Sequence, residues 1–289
     1  MNFFLKKSAP LVICQAGCKA FRPSAHKRAF TRVDLVCSVG VVILLTGLVA
    51  LECLGERGRT LRCAHNLKCL GSAMRDFANE HDGALPAASN TLLPATWDTA
   101  ITPYLRPDLD KVNTPYGRRL LQRAVAPTFA CPSDRVLRDH PRSYAMTWHE
   151  MQPEDWPPGP DNPTGVGLTW DKPSAERLLG TGAWDMARTN GALLKPVKLS
   201  WLPDPANTLL LTELPRSLNQ YGSSWCVAVQ SARDQVERFE GDLAQFHGGR
   251  FNYLMADGHV ELLSPFHTGY PGAFDAVRPT GIWTIKPGD

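Results

Sequence analysis

Acidic residues are missing from the first 29 positions, which hold six Lys and Arg residues but no Asp or Glu. The whole chain has 31 basic and 28 acidic residues, so residues 30–289 carry 25 basic against 28 acidic side chains and a formal charge of −3. A basic excess that is confined to one end does not form a basic binding face on the folded protein. The charge distribution therefore argues against a nucleic-acid partner.

Sequence motifs of the common enzyme classes are also absent. The chain has no Walker motif, dinucleotide-binding fingerprint, HExxH pair or Gly-x-Ser-x-Gly turn, and its eight cysteines match no zinc-binding spacing. With 43% hydrophobic and 20% charged residues, the chain is nevertheless not a disordered protein. We therefore predict a folded protein that is not an enzyme and that holds neither a cofactor nor a metal ion.

Proline is absent between Pro23 and Pro86, so nothing in this interval forces a helix to break. The interval contains Leu35–Leu51, an uncharged apolar run of 17 residues, which as a helix reaches the lower limit for crossing a bilayer. We predict a transmembrane helix over residues 30–52; a buried core helix and a signal peptide are the alternatives, but no Ala-x-Ala cleavage site follows. With one such span, the chain is predicted to be a single-pass inner-membrane protein. The basic residues before the span predict a cytoplasmic N-terminus by the positive-inside rule.

The predicted helix continues beyond the apolar run. Apolar residues recur mostly at spacings of three and four, which predicts an amphipathic extension over residues 53–85. Asp82-Gly83 is a typical helix end. Two helices hinged at Gly55 or Gly58 are the alternative. The remaining residues, 86–289, are predicted to form an exported head in the periplasm or outside the cell.

The junction before the apolar run has an unusual arrangement. Lys27-Arg28 is followed by Ala29 and Phe30, and an acid, Asp34, stands four residues further on at the membrane boundary, where a carboxylate needs a partner. This arrangement resembles the prepilin processing site of type IV pilins and type II secretion pseudopilins. The resemblance implies that residues 1–29 are a leader peptide, that a prepilin peptidase cuts between Ala29 and Phe30, and that the new N-terminus is methylated.

The resemblance also implies a role for Asp34. In that family the acid at the fifth mature position pairs with the α-amine of a neighbouring subunit during assembly. Ala29 stands where Gly is usual, Asp34 where Glu is usual, and Arg32 at a position that is normally apolar, from which its guanidinium can reach the headgroups. The implied partners are the peptidase, other pilin-like subunits and the membrane.

Four further motifs extend the resemblance over most of the chain. In order and wording they are similar to those of large pseudopilin-like proteins of Planctomycetes and Verrucomicrobia, which end in a His-x9-Asp-Gly signature. The matching positions are Cys63, Asn66, Cys131, Asp134, His247, Gly248, Gly249, Asn252, Asp257, Gly258 and His259. We predict that these positions have structural rather than catalytic roles.

The His-x9-Asp-Gly signature has a physical explanation of its own. Two β-prone runs, 252–256 and 259–263, flank Asp257-Gly258, and an Asp-Gly link between such runs predicts a hairpin with a type I′ turn. His247 would fold back and bond to the hairpin. The alternative is a metal-ligand cluster of His247, Asp257 and His259, residue types that suit Zn²⁺, but no fourth ligand is evident.

The cysteines of the exported part leave one pairing open. Cys63 and Cys69 lie about 9 Å apart along one helix, which is too far for a disulfide. Cys131 is able to form a disulfide in an oxidising compartment, but the sequence does not identify its partner.

The elements together predict an α+β fold. A long N-terminal α-helix, made of the membrane segment and its amphipathic extension, would pack on an antiparallel β-sheet head as in pilins. Residues 209–212 and 225–229 are predicted strands of that sheet.

The combined reading is a pseudopilin-like structural subunit. It would be processed by prepilin peptidase and assembled through its N-terminal helix into a type II secretion or type IV pilus-like filament. The alternative is a membrane-anchored exported enzyme or carbohydrate-binding protein that uses the helix only as an anchor. That alternative needs a complete catalytic set in residues 90–280, which the sequence does not contain.

Overall fold

The computed structural model describes residues 32–90, 95–110, 115–149, 165–170, 196–269, 280–286 and 288. The chain divides into two compact units, residues 1–49 and 50–289. The predicted leader 1–29, the cleavage site between Ala29 and Phe30, and Phe30 itself lie outside the described residues.

Helix α1 (Arg32–Glu80) begins in the first unit. Asp34 belongs to this helix, although its side chain is outside the described part. Residues 35–47 are all exposed. Within the ranges that the structure describes, no helix combines the length and the apolar character needed to cross a membrane, so the predicted span 30–52 is not supported.

The part of α1 in the second unit has one buried face. Cys63, Leu67, Leu70 and Met74 follow one another at intervals of three and four and are completely buried, which is the pattern of a helix packed on a core. The helix ends because Asp82 and Gly83 both have positive φ and the Gly83 N–H bonds back to the Ala78 carbonyl at 2.8 Å. The predicted helix end at Asp82-Gly83 is confirmed.

The second unit also contains short helices and strands. The further helices are α2 (Trp97–Leu105), α3 (Pro107–Asp110), α4 (Pro115–Phe129) and α5 (Ala232–Arg238). The strands are β1 (Ser89–Asn90), β2 (Ala95–Thr96), β3 (Tyr144–His149), β4 (Gly167–Trp170), β5 (Leu209–Glu213), β6 (Ala228–Val229), β7 (Phe251–Met255) and β8 (Val260–Leu263). Single 3₁₀ turns occur at Leu199–Trp201, Pro205–Asn207, Pro265–His267 and Gly281–Trp283.

The strands form one mixed sheet in the order β2-β1-β4-β3-β5-β7-β8, with β6 paired to β3. The β1–β4, β3–β4 and β3–β6 pairs are parallel, whereas β1–β2, β3–β5, β5–β7 and β7–β8 are antiparallel. The predicted fold class is therefore wrong: the molecule is α+β, but its sheet is not the antiparallel sheet of the pilin-like prediction. Parallel pairing arises because long connections return β4 and β6 beside β3 in the same direction.

The centre of the sheet is covered on both faces. Every residue of β5 and β7 is buried, as in a strand that has structure on either side. On one face α1 approaches so closely that a Cβ added to Gly71 would lie 2.9 Å from Leu254 Cδ2. On the other, Gln235 of α5 accepts a bond from the Tyr253 hydroxyl at 2.8 Å. Because side chains alternate along a strand, Asn252 and Leu254 point toward α1.

Candidate functional site

A disulfide joins α1 to the segment that follows α4. It links Cys63 to Cys131, whose Cα atoms are 5.1 Å apart and whose positions in the sequence differ by 68. Both residues are buried. The partner of Cys131, which the sequence left open, is thus Cys63, and the bond lies in the layer between α1 and the sheet.

His247 lies against this disulfide and is bonded on both of its ring nitrogens. Nε2 is 3.1 Å from Glu213 Oε1 and 3.4 Å from Cys131 Sγ. Nδ1 is 3.1 Å from Glu56 Oε1 and 2.9 Å from Thr60 Oγ1. The Thr60 hydroxyl donates to the Glu56 backbone carbonyl, so its oxygen is free to accept a hydrogen bond from the Nδ1–H of His247. The imidazole therefore connects α1 to the sheet through two carboxylates.

Glu213 is the fully buried acid of this network and the last residue of β5. Its carboxylate accepts the backbone N–H of Asn252 at 2.7 Å and the Asn252 amide at 3.2 Å. A buried carboxylate is tolerated when it is paired and its oxygens are hydrogen-bonded. Asn252 of the predicted signature is thus the residue that holds Glu213 in place.

Glu56 closes the network on the helix side and is partly exposed. It accepts bonds from Arg59 Nε at 2.8 Å and from the Ser133 hydroxyl at 2.9 Å. Burial alone would raise the pKa of Glu56, but the bonds from Arg59 and Ser133, the charge of Arg59 and that of His247 outweigh it and lower the pKa.

The same contacts favour the protonated form of His247. Burial of the ring works against the imidazolium, yet the hydrogen bonds and charges of Glu213 and Glu56 outweigh it, so the pKa of His247 is raised above 6.5. Only the imidazolium has two N–H donors, one for each carboxylate. The two carboxylates therefore favour a positive charge on the buried ring between them.

The backbone at His247 explains the two glycines that follow it. His247, Gly248 and Gly249 have φ angles of +50°, +67° and +79°, three consecutive left-handed residues. Glycine adopts this region without steric cost, whereas a histidine there is strained. Such strain persists when surrounding contacts fix the residue, and here the ring contacts with Glu56 and Glu213 do so.

The predicted hairpin is present, but its predicted turn is wrong. β7 and β8 pair in antiparallel register, with Leu254 opposite Val260. Only Gly258, at φ +95°, has positive φ in the link, and its N–H bonds to the Met255 carbonyl at 2.9 Å. This is a three-residue link that ends in a left-handed glycine, not a type I′ turn. A Cβ at Gly258 would meet the guanidinium of Arg75, so α1 also lies against the turn.

The alternative metal cluster of His247, Asp257 and His259 is wrong. Asp257 and His259 form their own pair near the surface, with His259 Nδ1 2.7 Å from Asp257 Oδ1. His247 is instead buried beside the disulfide. Over the described ranges, the side chains that come together as possible metal ligands are those of Cys63, Cys131, Glu213 and His247.

Two other predicted positions, Asn66 and Asp134, hold the segments on either side of Cys131 in place. The Asn66 amide donates to the carbonyls of Pro127 and Ala130, both at 3.1 Å, and so fixes the end of α4 to α1. Asp134 accepts bonds from the Ser143 hydroxyl at 2.6 Å and from Arg138, which shapes the segment after Cys131. Both residues act as structural supports.

Sequence reasoning missed Glu56, Thr60 and Glu213. Glu213 had a visible signal, because it ends a run of four apolar or β-branched residues that forms a buried strand. An acid in that position needs a buried partner. Nothing in the sequence singles out Glu56 or Thr60, because charged and hydroxyl residues are ordinary on an amphipathic helix.

No family model matches the chain, and neither does any curated protein or solved structure. The resemblance to pseudopilins therefore rests on the motifs in the sequence and stays a prediction.

Proposed function

We propose that the protein is a structural subunit that assembles with other pilin-like subunits through its N-terminal helix after prepilin-type processing. One observation carries this proposal: the large apolar side chains of α1 in the first unit are exposed. Their exposed fractions lie between 49% and 69% for Leu35, Val36, Val39, Val41, Val42, Ile43, Leu44 and Leu45.

These residues surround the helix instead of forming one stripe. Val41 to Leu45 are consecutive, and successive residues of an α-helix are about 100° apart, so five of them cover the whole circumference. A helix that is apolar on all sides is stable only when it is buried on all sides. A single docking face does not satisfy this segment, whereas a bundle of equivalent helices or a lipid environment does.

Equivalent helices from other copies are the proposed final environment. Asp34 would pair there with the α-amine created at Phe30, as the resemblance implies. Before assembly the segment would lie in the inner membrane with the basic leader in the cytoplasm. The Cys63–Cys131 disulfide supports an exported head, because such bonds persist in oxidising compartments.

Intact-mass measurement of the membrane fraction tests the processing step. We expect the loss of residues 1–29 and the gain of one methyl group. Ala29→Leu should block cleavage, because a small residue is required beside the scissile bond. An unprocessed wild-type N-terminus would instead favour the alternative, an exported enzyme or carbohydrate-binding protein with a simple anchor.

Assembly is tested separately with Asp34→Ala. This variant should be cleaved like the wild type but should be absent from purified filaments, because the α-amine of the neighbour has lost its partner. Asp139→Ala, which removes an exposed acid of the head, is the matched control and should assemble normally. Normal incorporation of the Asp34 variant would remove the charge pair from the proposal.

A further inference from the structure

We propose that Cys63, Cys131, Glu213 and His247 form a Zn²⁺ site when the Cys63–Cys131 disulfide is reduced. Either the disulfide or the metal ion would then join α1 to the segment that follows α4, and these are the two closures of the protein. The four residues are all buried, and one potential ligand atom from each lies within 4.8 Å of the others. Two sulfurs, an imidazole nitrogen and a carboxylate oxygen are the ligand types that Zn²⁺ takes in proteins.

Two edges of a coordination tetrahedron are already near their final lengths. With ordinary Zn–ligand distances, a tetrahedral site has edges of about 3.4 Å between nitrogen and oxygen and about 3.6 Å between nitrogen and sulfur. His247 Nε2 is 3.1 Å from Glu213 Oε1 and 3.4 Å from Cys131 Sγ. The main change on metal binding is that the two sulfurs, no longer bonded, separate to about 3.8 Å.

The groups around these ligands are those of a metal site. A zinc-binding histidine usually donates its other ring N–H to a carboxylate, which fixes the orientation of the ring. Nδ1 of His247 has that contact with Glu56, at 3.1 Å. The Glu213 carboxylate is likewise oriented by the Asn252 backbone N–H at 2.7 Å. The orienting contacts therefore exist before any metal is present.

The disulfide is converted to the zinc site in two steps, reduction and metal binding. A phosphine reductant supplies two electrons and breaks the sulfur–sulfur bond; it takes the oxygen of one water molecule to become the phosphine oxide, and the two protons of that water give the two thiols. A dithiol gives the same product by passing on its own two protons and becoming a disulfide. Zn²⁺ then replaces the two thiol protons and the Nε2 proton of the imidazolium, and these three protons pass to solvent. Glu213 binds as the carboxylate. Either closure holds α1 to the segment that follows α4.

A cleft beside the site offers an approach for the ion. It has a volume of about 240 Å³ and is lined by Glu56, Ser133 and Phe246, among other residues. Glu56 also contacts the His247 ring, so the cleft borders the outer side of the cluster. The disulfide itself is covered, which means that reduction is best carried out before or during folding.

The test uses the full chain with every cysteine except Cys63 and Cys131 replaced by serine. The protein is refolded in a phosphine reductant with equimolar Zn²⁺, freed from unbound metal and assayed by mass spectrometry for zinc. We expect one Zn²⁺ per reduced chain and only background in the same chain refolded under oxidising conditions. Background zinc in both forms overturns the proposal.

Matched variants assign the ligands. His247→Ala and Glu213→Gln should each weaken zinc binding by at least tenfold, whereas His259→Ala, which removes a histidine near the surface, should leave it unchanged. Equal zinc content in all three variants would contradict the ligand set. Co²⁺ binding to the chain with all four ligands intact provides a readout that does not depend on the folding of His247→Ala. Intense tetrahedral absorption bands with thiolate charge transfer support the site, and a weak octahedral spectrum overturns it.

Discussion

The two stretches of α1, residues 35–47 and 55–78, are both helical but have opposite relations to solvent. In the first, large apolar residues such as Val42 and Leu44 are exposed on every side. In the second, most apolar residues form one buried stripe that includes Leu67 and Leu70, and Leu61 is the exposed exception among the large ones. The buried stripe of the second stretch packs on the core of its own unit, whereas the large apolar side chains of the first stretch are exposed in the part of the chain that the structure describes.

The largest expected effect concerns the covalent link of the second stretch. Cys63→Ser should lower the free energy of unfolding by about 4 kcal/mol, because the disulfide no longer restricts a 68-residue interval of the unfolded chain. Urea unfolding under oxidising conditions, followed by tryptophan fluorescence, measures this change. Cys37→Ser, in the first stretch, is the control and should change nothing. Equal stability of both variants would show that the second stretch does not depend on the bond.

Truncation of one leucine in each stretch should give the next largest difference. Leu70→Ala removes a completely buried side chain and should cost about 3 kcal/mol. Leu44→Ala removes an exposed side chain and should alter the free energy of unfolding by less than about 0.5 kcal/mol. The same urea titration measures both. A large effect of Leu44→Ala on the isolated subunit would mean that the first stretch is already buried there.

A smaller effect is expected at the turn that lies against the second stretch. Gly258→Val forces a β-branched residue into φ +95° and displaces the Arg75 guanidinium, so it should cost more than about 1 kcal/mol. Gly258→Asn separates the two causes, because asparagine tolerates positive φ but still carries a Cβ. Thermal unfolding of both variants tests this. Similar melting temperatures would assign the loss to the contact with Arg75 alone.

The smallest effect is the pH dependence of the His247 network. Because the folded pKa of His247 is raised, its contribution is complete below pH 6.5 and is lost as the pH rises through the folded pKa. Because the pKa of Glu56 is lowered, its contribution is present above pH 4.5 and is lost as the pH falls through the folded pKa. The melting temperature of the wild type should therefore decline above pH 6.5.

His247→Gln is the control for this pH dependence. It keeps a polar side chain between Glu56 and Glu213 but has no proton to lose in this range. The variant should melt at a lower temperature than the wild type at pH 6, and the difference should become smaller toward pH 8. A constant difference between the two proteins would show that His247 has the same charge throughout.

Local features of this fold were predictable from the sequence because they depend on neighbouring residues. The end of α1 follows from the left-handed preference of Asp82-Gly83, and the β7–β8 hairpin follows from Asp257-Gly258 between two β-prone runs. Strand β5 was predicted at 209–212 and extends one residue further, to Glu213. The turn type was wrong because Asp257 does not take positive φ.

Features that depend on distant partners were not predictable. The direction of β4 and β6 relative to β3 is set by how the connections return, and the apolar pattern of a strand contains no such information. The partner of Cys131 depends on where α4 packs on α1. The role of Glu213 was hidden for the same reason, since an acid reveals its partner only when the strand beside it is known.

The contacts of His247 form only after nearly the whole chain has been synthesised. Its ring bonds to Glu56 and Thr60 join positions 191 and 187 residues apart in the sequence. Because synthesis begins at the N-terminus, Glu56 and Cys63 are made, and remain uncovered, long before the residues that later cover them. Any product that stops short of position 247 lacks the histidine and the asparagine that contact the Glu213 carboxylate at the end of β5. Truncated chains should consequently be recognisable to proteases, and only full-length subunits should persist.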